Sequence, residues 1–440
     1  MRSDGVKTLT RSLMEKSQSD DLVLSRKHRP DYMVVLYMGL LMLLGLIIIY
    51  AIGPQRANVL NNAYGSDYTD TYFFIKQLVS LLVSLGAFAA MAFIPFKWVM
   101  KYARSLVLVA LGLCLLLAVA SVANLGIAQE SLGATRWFNL GALGSFQPAE
   151  LLKFALLAFI ALFLGNKARQ DKQNDIKETL IPLGAITAVA MFFIVIVQKD
   201  LGTGIALAGI ILAMLLVSKI NLRNGVMIAG LVAVVGVIVI VSAPHRVERL
   251  MTFLKGDNSS LEISGDSESY HVEHAKLAIG SGGLFGVGVG NSVQATGYLP
   301  EAINDSVFAI MGETFGFVGL VVILALFTAL LTRLLKIMDN LADIRLRLLV
   351  AGVFGWLAAH VMLNVASMIG LAPLTGITLP LLSFGGTSMA FIAAALGLVF
   401  QLSSYTVFSS NLKEAQYEDS NRRRGIGRSR HSSRGGFTRN

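Results

Sequence analysis

The chain is 440 residues long, with 55% hydrophobic residues, only 15% charged residues and a formal net charge of +10. Soluble domains contain about 25% charged residues, so this composition excludes a string of soluble domains and predicts a polytopic membrane protein. A single cysteine excludes a disulfide framework and a cysteine-ligated metal cluster. The basic excess points either to membrane topology or to an anionic partner.

Ten apolar runs are long enough to cross about 30 Å of hydrocarbon as helices. The expected fold class is therefore an all-α polytopic membrane protein with ten transmembrane helices. The predicted transmembrane domain comprises residues 32–404. It would contain a large extracytoplasmic loop, residues 244–305, between helices 7 and 8, and spans five and six would form a tight helical hairpin. The ten spans are residues 32–52, 73–94, 105–127, 148–165, 180–197, 201–218, 225–243, 306–331, 347–370 and 384–404.

Lysine and arginine are distributed unevenly between the two sides of these spans. One side carries 28 of the 37, including those of an N-terminal segment, 1–31, and a C-terminal tail, 405–440. By the positive-inside rule, both termini are cytoplasmic. The basic tail is expected to be disordered and to lie near anionic lipid rather than nucleic acid.

Polar residues at the outer ends of spans four to six can be interpreted either as structural residues or as parts of a binding site. Arg136 lies at the outer interface, and its guanidinium suits phosphate oxygens. Glu150 and Lys153 lie i, i+3 on one helical face, either as a buried ion pair or as part of a site for an anionic headgroup. Asp200 either caps the next helix or joins that site.

The long loop ends with a glycine-rich run and two carboxylates. Residues 280–290 read GSGGLFGVGVG and predict a bendable segment whose backbone can approach a ligand. Pro300 suits the first turn of a helix, which would place Glu301 and Asp305 on one face. Such a pair suits acid–base catalysis or cation binding, or only complements the helix dipole.

The last two spans add further polar residues. His360 and Asn364, one turn apart, are expected to form interhelical hydrogen bonds. Ser383 and Gly386 open span ten, where hydroxyls and a Gly-Gly pair make either an anion site or a simple helix start. The residues alone predict a polar cavity open to the outer leaflet, suited to a lipid with an anionic head. It gathers Arg136, Glu150, Lys153, Asp200, Glu301, Asp305 and Ser383.

Four motifs, in order and between the matching spans, carry a family resemblance. They read GATRWFNLG…QPAELLK, QKDLGTG, AIGSGGLFGVGVGNSVQATGYLPEAINDSVFAIMGETFGFVG and LTGITLPLLSFGGTS. Over nearly all of residues 32–404 the chain resembles the SEDS family (shape, elongation, division and sporulation) of bacterial cell-wall polymerases. The stretch YLPEA is similar to the division-type members rather than to the elongation-type members.

The resemblance implies a peptidoglycan glycosyltransferase of the bacterial cytoplasmic membrane, acting on lipid II at the division septum. It implies a class B penicillin-binding protein and other divisome membrane proteins as partners. No cofactor is implied, and a requirement for Mg²⁺ or Mn²⁺ is left open. The family's essential aspartate matches Asp305, as general base. Substrate-binding positions match Arg136, Gln147, Glu150, Lys153, Asp200, Glu301, Ser383 and Gly386.

Several residues depart from the family's pattern. Ile303, Asn304 and Ser306 surround Asp305 where the family usually has other residues, and His271 and His274 replace glutamines. Two histidines without a third ligand do not predict a metal site. The departures keep a weakly active or non-catalytic divisome scaffold as an alternative, beside a lipid II flippase. A flippase needs a path between leaflets, whereas the polar residues cluster at the outer end.

Overall fold

The computed structural model describes residues 28–131, 134–141, 144–241, 247 and 267–406. Most of the predicted N-terminal segment, most of the predicted tail and part of the large loop lie outside these ranges. The helices are α1 Tyr32–Tyr64, α2 Tyr72–Phe93, α3 Phe96–Val122, α4 Pro148–Arg169, α5 Ile181–Met191, α6 Leu201–Val217, α7 Leu222–Val241, α8 Ser267–Ser281, α9 Val307–Asn340, α10 Ile344–Met368 and α11 Gly386–Ser403. π-helical turns, Ile176–Leu180 and Phe192–Val197, extend α5 at both ends.

The helices confirm a polytopic membrane protein. Within the described ranges, eight helices are long and apolar enough to cross a bilayer, if α5 is counted with its π-helical turns as Ile176–Val197. Helix α6 is a shorter apolar helix of 17 residues. Helix α7 covers most of the seventh predicted span. Side chains are apolar on the outside as well as in the core, as expected when the surroundings are lipid.

Antiparallel neighbours give the bundle two distinct ends. At one end, which we call the sheet end, lie residues 128–131, 134–141 and 144–147, the α5–α6 turn and residues 282–306. At the opposite end, Arg169 bonds Asp343 at 3.1 Å and the Phe96 N–H donates to Gln401 at 2.7 Å. Helix α10 packs in the centre, against α4, α6 and α9, while α11 packs against α2.

A small β-sheet at the sheet end was not expected from the sequence, and the all-α prediction is wrong here. Strands β1 Ala128–Ser131, β2 Ala134–Asn139 and β3 Ser145–Phe146 pair antiparallel in that order. The sheet rests on α3, where Ser121 and Thr135 share a hydroxyl hydrogen bond of 2.8 Å. It satisfies the backbone of a segment that would otherwise be an irregular loop at the bundle surface.

Helix α9 is interrupted where the glycine-rich segment meets it. Gly316 has φ 67° and ψ −169°, outside the helical region. The Phe317 N–H donates to the Gly283 carbonyl at 2.9 Å, and the Val287 N–H donates to the Glu313 carbonyl at 2.9 Å. The broken helix and the glycine-rich segment thus satisfy each other's backbone groups, as a chain in an apolar environment requires. The glycine-rich backbone approaches another backbone, not an open cleft.

We expect Gly316→Ala to destabilise the protein. The backbone conformation is essentially restricted to glycine, which costs about 1–3 kcal/mol for other residues. A Cβ atom at Gly316 would also lie 2.3 Å from the backbone nitrogen of Gly286. The midpoint of thermal unfolding in detergent should fall by several degrees.

The matched control is Gly112→Ala, in the exposed middle of α3, where a Cβ atom meets nothing within 4 Å. Alanine is favoured over glycine in a helix by about 1 kcal/mol, so this midpoint should stay or rise. Equal midpoints for the two variants would contradict the packed break.

Candidate functional site

Asp305 lies in a turn, not in a helix. Helix α9 begins only at Val307, and residues 297–306 form successive turns. Glu301 has φ 49°, and its carbonyl accepts from the Ser306 N–H at 3.2 Å. The Ser306 hydroxyl donates to the Pro300 carbonyl at 2.8 Å. These local bonds compete successfully with a helix, so the predicted helix from Pro300, with both carboxylates on one face, is wrong.

The Asn364 side chain holds this turn against the bundle. Its amide donates to the Asp305 carbonyl at 2.7 Å and to the Ile377 carbonyl at 2.7 Å. Asn364 is fully buried on α10. A second bond joins the same two segments, from the Phe384 N–H to the Ile303 carbonyl at 2.8 Å. The position of Asp305 therefore depends on the loop between α10 and α11.

Two of the departures from the family pattern contact each other. The His271 Nε2 lies 2.6 Å from the Ser306 Oγ, and both side chains are buried. Because the Ser306 hydroxyl gives its one proton to the Pro300 carbonyl, the bond requires His271 to carry its proton on Nε2. His274 similarly pairs with Gln294 at 2.8 Å. His271 thus holds the turn that carries Asp305, and His274 holds the segment that precedes this turn.

Glu150 and Lys153 form a buried ion pair. The Lys153 Nζ lies 2.9 Å from the Glu150 Oε1, and their side chains are 0% and 3% exposed. The same Nζ lies 3.4 Å from the His360 Nε2 and 4.7 Å from the centre of a Trp356 ring. The ammonium is therefore surrounded by a carboxylate, an imidazole and an aromatic face, and presents no surface to solvent.

The Lys153 cluster and the Asp305 turn meet at one loop. His360 and Asn364 are one turn apart on α10, so their side chains are about 5–6 Å apart at Cβ. The His360 Nδ1 contacts the Thr378 carbonyl at 3.4 Å, and Asn364 bonds the carbonyl of Ile377. Adjacent carbonyls of the α10–α11 loop thus connect the cationic cluster with the carboxylate-bearing turn.

Asp200 caps α6, in agreement with one of its two predicted roles. Its carboxylate accepts from the Thr203 N–H at 2.9 Å and from the Gln147 amide at 3.1 Å. Arg136, on β2, donates to the Lys199 carbonyl at 2.8 Å and is partly exposed. Sheet, α4 and the α5–α6 turn are thereby joined, with Arg136 at their surface.

The remaining predicted residues take different roles. The Ser383 Oγ accepts from the Leu379 N–H at 2.8 Å, inside the α10–α11 loop, and Gly386 is the first residue of α11. The Glu301 carboxylate is 41% exposed and faces Arg56 at 3.8 Å. Glu301 and Asp305 therefore share a turn, while Glu301 looks towards α1.

Sequence reasoning missed the backbone carbonyls and the aromatic residue that help to hold the site together. The carbonyls of Ile377 and Thr378 carry no side-chain signal, and Trp356 resembles any core aromatic residue. Glu313 accepts from the Ser292 hydroxyl at 2.5 Å and from the Val293 N–H at 2.9 Å, so it organises the loop before Asp305. Within the described ranges, no three His, Cys, Asp or Glu side chains group in a way that could hold a metal ion.

Fold and site define a class: a polytopic membrane protein with a carboxylate-bearing turn and a polar cluster at one end of its helical bundle. The sequence profile of the family described as "Cell cycle protein", which covers FtsW, RodA and SpoVE, matches residues 31–407. The chain belongs to this family.

Relatives and solved structures agree with this assignment. The chain is 32% identical to stage V sporulation protein E of Bacillus subtilis, over 87% of this chain and 99% of that protein. It is also 32% identical to the probable peptidoglycan glycosyltransferase FtsW of Nitrosomonas europaea, over 84% and 92%.

Two solved structures share the fold. One chain, from "Structural coordination of polymerization and crosslinking by a peptidoglycan synthase complex", is 25% identical with a TM-score of 0.63, covering 85% of this chain and 97% of that chain. The rod shape determining protein RodA of Thermus thermophilus is 24% identical with a TM-score of 0.58, covering 86% and 98%.

We expect each single neutralisation of the buried pair, Glu150→Leu or Lys153→Met, to destabilise the protein by about 3–5 kcal/mol, because it leaves one charge buried without its counter-charge. The double variant should recover most of this loss, since a buried pair can be replaced by apolar residues at little cost. Thermal unfolding in detergent measures all three.

The control is Lys172→Met, at the exposed pair with Glu178, whose side chains are 49% and 44% exposed. A solvent-exposed ion pair contributes little to stability, so this variant should unfold like the wild type. A double variant as unstable as the sum of both singles would rule out mutual compensation of the charges.

Proposed function

We propose that the chain is a peptidoglycan glycosyltransferase that polymerises lipid II during septal cell-wall synthesis. The observation that carries the proposal is the Asp305 turn, held by Asn364 beside the buried Lys153 cluster. The relatives named as probable peptidoglycan glycosyltransferases support the reaction class.

The proposed reaction is a single displacement on lipid II. The 4-hydroxyl of the acceptor sugar attacks the anomeric carbon of the donor, and Asp305 accepts the hydroxyl proton as general base. The bond from the anomeric carbon to the lipid pyrophosphate breaks, and the pyrophosphate leaves with both bonding electrons. A base near the acceptor and a cation near the leaving group are the two requirements of this step.

Arg136 and Lys153 have different proposed roles towards the negative charge that develops on the leaving pyrophosphate. Arg136 is partly exposed, so its guanidinium is available to phosphate oxygens. Lys153 is buried against Glu150, so we assign it a positioning role through His360 and the α10–α11 loop.

Gln147, Asp200 and Ser383 keep the surrounding segments in place, and Gly386 starts α11 beside them. Glu301 stays a proposed substrate contact because its carboxylate is half exposed.

We propose ten spans, cytoplasmic termini and a sheet end that faces outward. Among the described residues, fourteen Lys and Arg lie at the opposite end, and the sheet end carries Arg56, Arg136, Lys199 and Lys276. This asymmetry follows the positive-inside rule. A class B penicillin-binding protein and other divisome membrane proteins are the proposed partners. A structural neighbour described as a peptidoglycan synthase complex supports the first of these.

We expect Asp305→Asn to lower the rate of lipid II polymerisation by about 10²–10⁴-fold, the usual contribution of a general base. The measurement uses purified full-length protein with its cognate penicillin-binding protein and labelled lipid II. The matched control is Asp67→Asn, an exposed aspartate on the α1–α2 connection at the same end, which should polymerise like the wild type.

The same assay separates the alternatives. Equal polymer from wild type and Asp305→Asn would remove Asp305 as the base. Lipid II scrambling in vesicles without any polymer would favour a flippase, and inactivity in both assays would favour a scaffold. Addition of EDTA tests the requirement for Mg²⁺ or Mn²⁺.

A further inference from the structure

A cavity at the opposite end of the bundle, far from Asp305, is lined by basic and apolar residues. It has a volume of about 590 Å³ and lies between the start of α1, the end of α9 and the end of α11. Small-molecule sites typically enclose about 300–1,000 Å³. The His28 N–H donates to the Ser404 carbonyl at 3.0 Å, which joins the chain before α1 to the end of α11.

Two cations of this cavity are available to a ligand. Arg29 and Lys336 line it and are exposed. Within the described residues, neither of them forms an ion pair with a carboxylate. Among the described lining residues, Asp31 is the one carboxylate, and it is already compensated, because Arg333 bonds it and the Met33 N–H donates to it at 3.1 Å. The cavity therefore presents a net positive charge.

The other wall is apolar and continues along the membrane surface of α1. Tyr32 and Met33 line the cavity and are 64% and 45% exposed. Below them, Leu36, Leu40 and Leu43 continue an exposed stripe at helical spacing. The edge of the Tyr32 ring meets Phe400 at 5.6 Å between centroids, in the manner of an aromatic residue at a membrane interface. A charged head in the cavity would leave its acyl chains against this stripe.

We propose that this cavity binds the phosphodiester headgroup of an anionic phospholipid, with Arg29 and Lys336 facing the phosphate. Basic pockets between transmembrane helices are typical binding sites for anionic headgroups. A soluble phosphate would satisfy the two cations equally well but would leave the adjoining apolar wall unused. The assignment to the cytoplasmic leaflet rests on the proposed topology, whereas binding in detergent depends neither on topology nor on glycosyltransferase activity.

The test is binding of three probes to purified full-length protein in detergent: short-chain phosphatidylglycerol, short-chain phosphatidylcholine and glycerophosphate. Wild type should bind phosphatidylglycerol more tightly than glycerophosphate, because only the lipid has acyl chains that contact the apolar wall. It should also bind phosphatidylglycerol about tenfold more tightly than phosphatidylcholine, since each nearby Lys or Arg contributes about 1 kcal/mol to the attraction of an anionic lipid. Arg29→Gln/Lys336→Gln should lose that preference.

The control variant, Lys97→Gln/Lys101→Gln, removes two exposed cations from the same end outside the cavity. It should keep the preference for phosphatidylglycerol. Unchanged binding by the Arg29/Lys336 variant, or equal loss in the control, would overturn the site. Glycerophosphate binding as tight as that of the lipid would overturn the lipid as its ligand.

Discussion

An irregular backbone inside a membrane-embedded bundle must find a hydrogen-bond partner for every polar group, because lipid offers none. The Asn364 amide meets this requirement at the point where two irregular segments cross. One amide group serves the carbonyl of Asp305 in the turn before α9 and the carbonyl of Ile377 in the loop after α10. Loss of that side chain would leave one buried and one part-buried carbonyl without these bonds, at a cost of about 1–3 kcal/mol for a buried group that stays unsatisfied.

The same requirement explains the rest of the sheet end. At the break of α9, the glycine-rich segment supplies donors and acceptors to the backbone around Gly316. At the α5–α6 turn, the Arg136 guanidinium donates a hydrogen bond to the Lys199 carbonyl. In the α10–α11 loop, the Ser383 hydroxyl accepts from Leu379. Each irregular segment is therefore tied to a neighbour, and the whole end can act as a rigid support for one carboxylate.

A charged side chain inside the bundle also needs partners for its polar atoms. Lys153 is stable in the bundle because Glu150, His360 and Trp356 surround its ammonium group. The pair costs desolvation energy that its mutual attraction only partly returns. The pair lies beside the α10–α11 loop, because His360 contacts both the Lys153 ammonium and the Thr378 carbonyl.

The sequence predicted the features that depend on local pattern. Apolar runs place the membrane helices because the hydrophobic requirement is strong and regular, and helix capping was one of the two roles predicted for Asp200 from its position. The turn at Pro300–Ser306 was missed because the Ser306 hydroxyl bonds the Pro300 carbonyl in place of a helix, and because His271, 35 residues away, contacts the same hydroxyl. The broken α9 was missed because its backbone partners lie about 30 residues away, in the glycine-rich segment. The β-sheet was missed because its strands are only 4, 6 and 2 residues long.

Two of the departures from the family pattern, Ser306 and His271, contact each other in the structure. In the sequence, Ser306 and His271 appear as separate changes, each of which could weaken an enzyme. In the structure they form one buried hydrogen bond of 2.6 Å. A pair of changes that compensate each other is compatible with a functional site, whereas two unrelated losses would not be.

The most direct test of this account is the lipid II polymerisation rate of Asn364→Ala, compared with Asn340→Ala. Asn340 makes one exposed bond to the Lys336 carbonyl at the opposite end of the bundle. With Asn364 positioning Asp305, the rate of Asn364→Ala should fall by at least about tenfold, the equivalent of about 1.4 kcal/mol, while Asn340→Ala keeps the wild-type rate. A wild-type rate in folded Asn364→Ala protein would contradict the account.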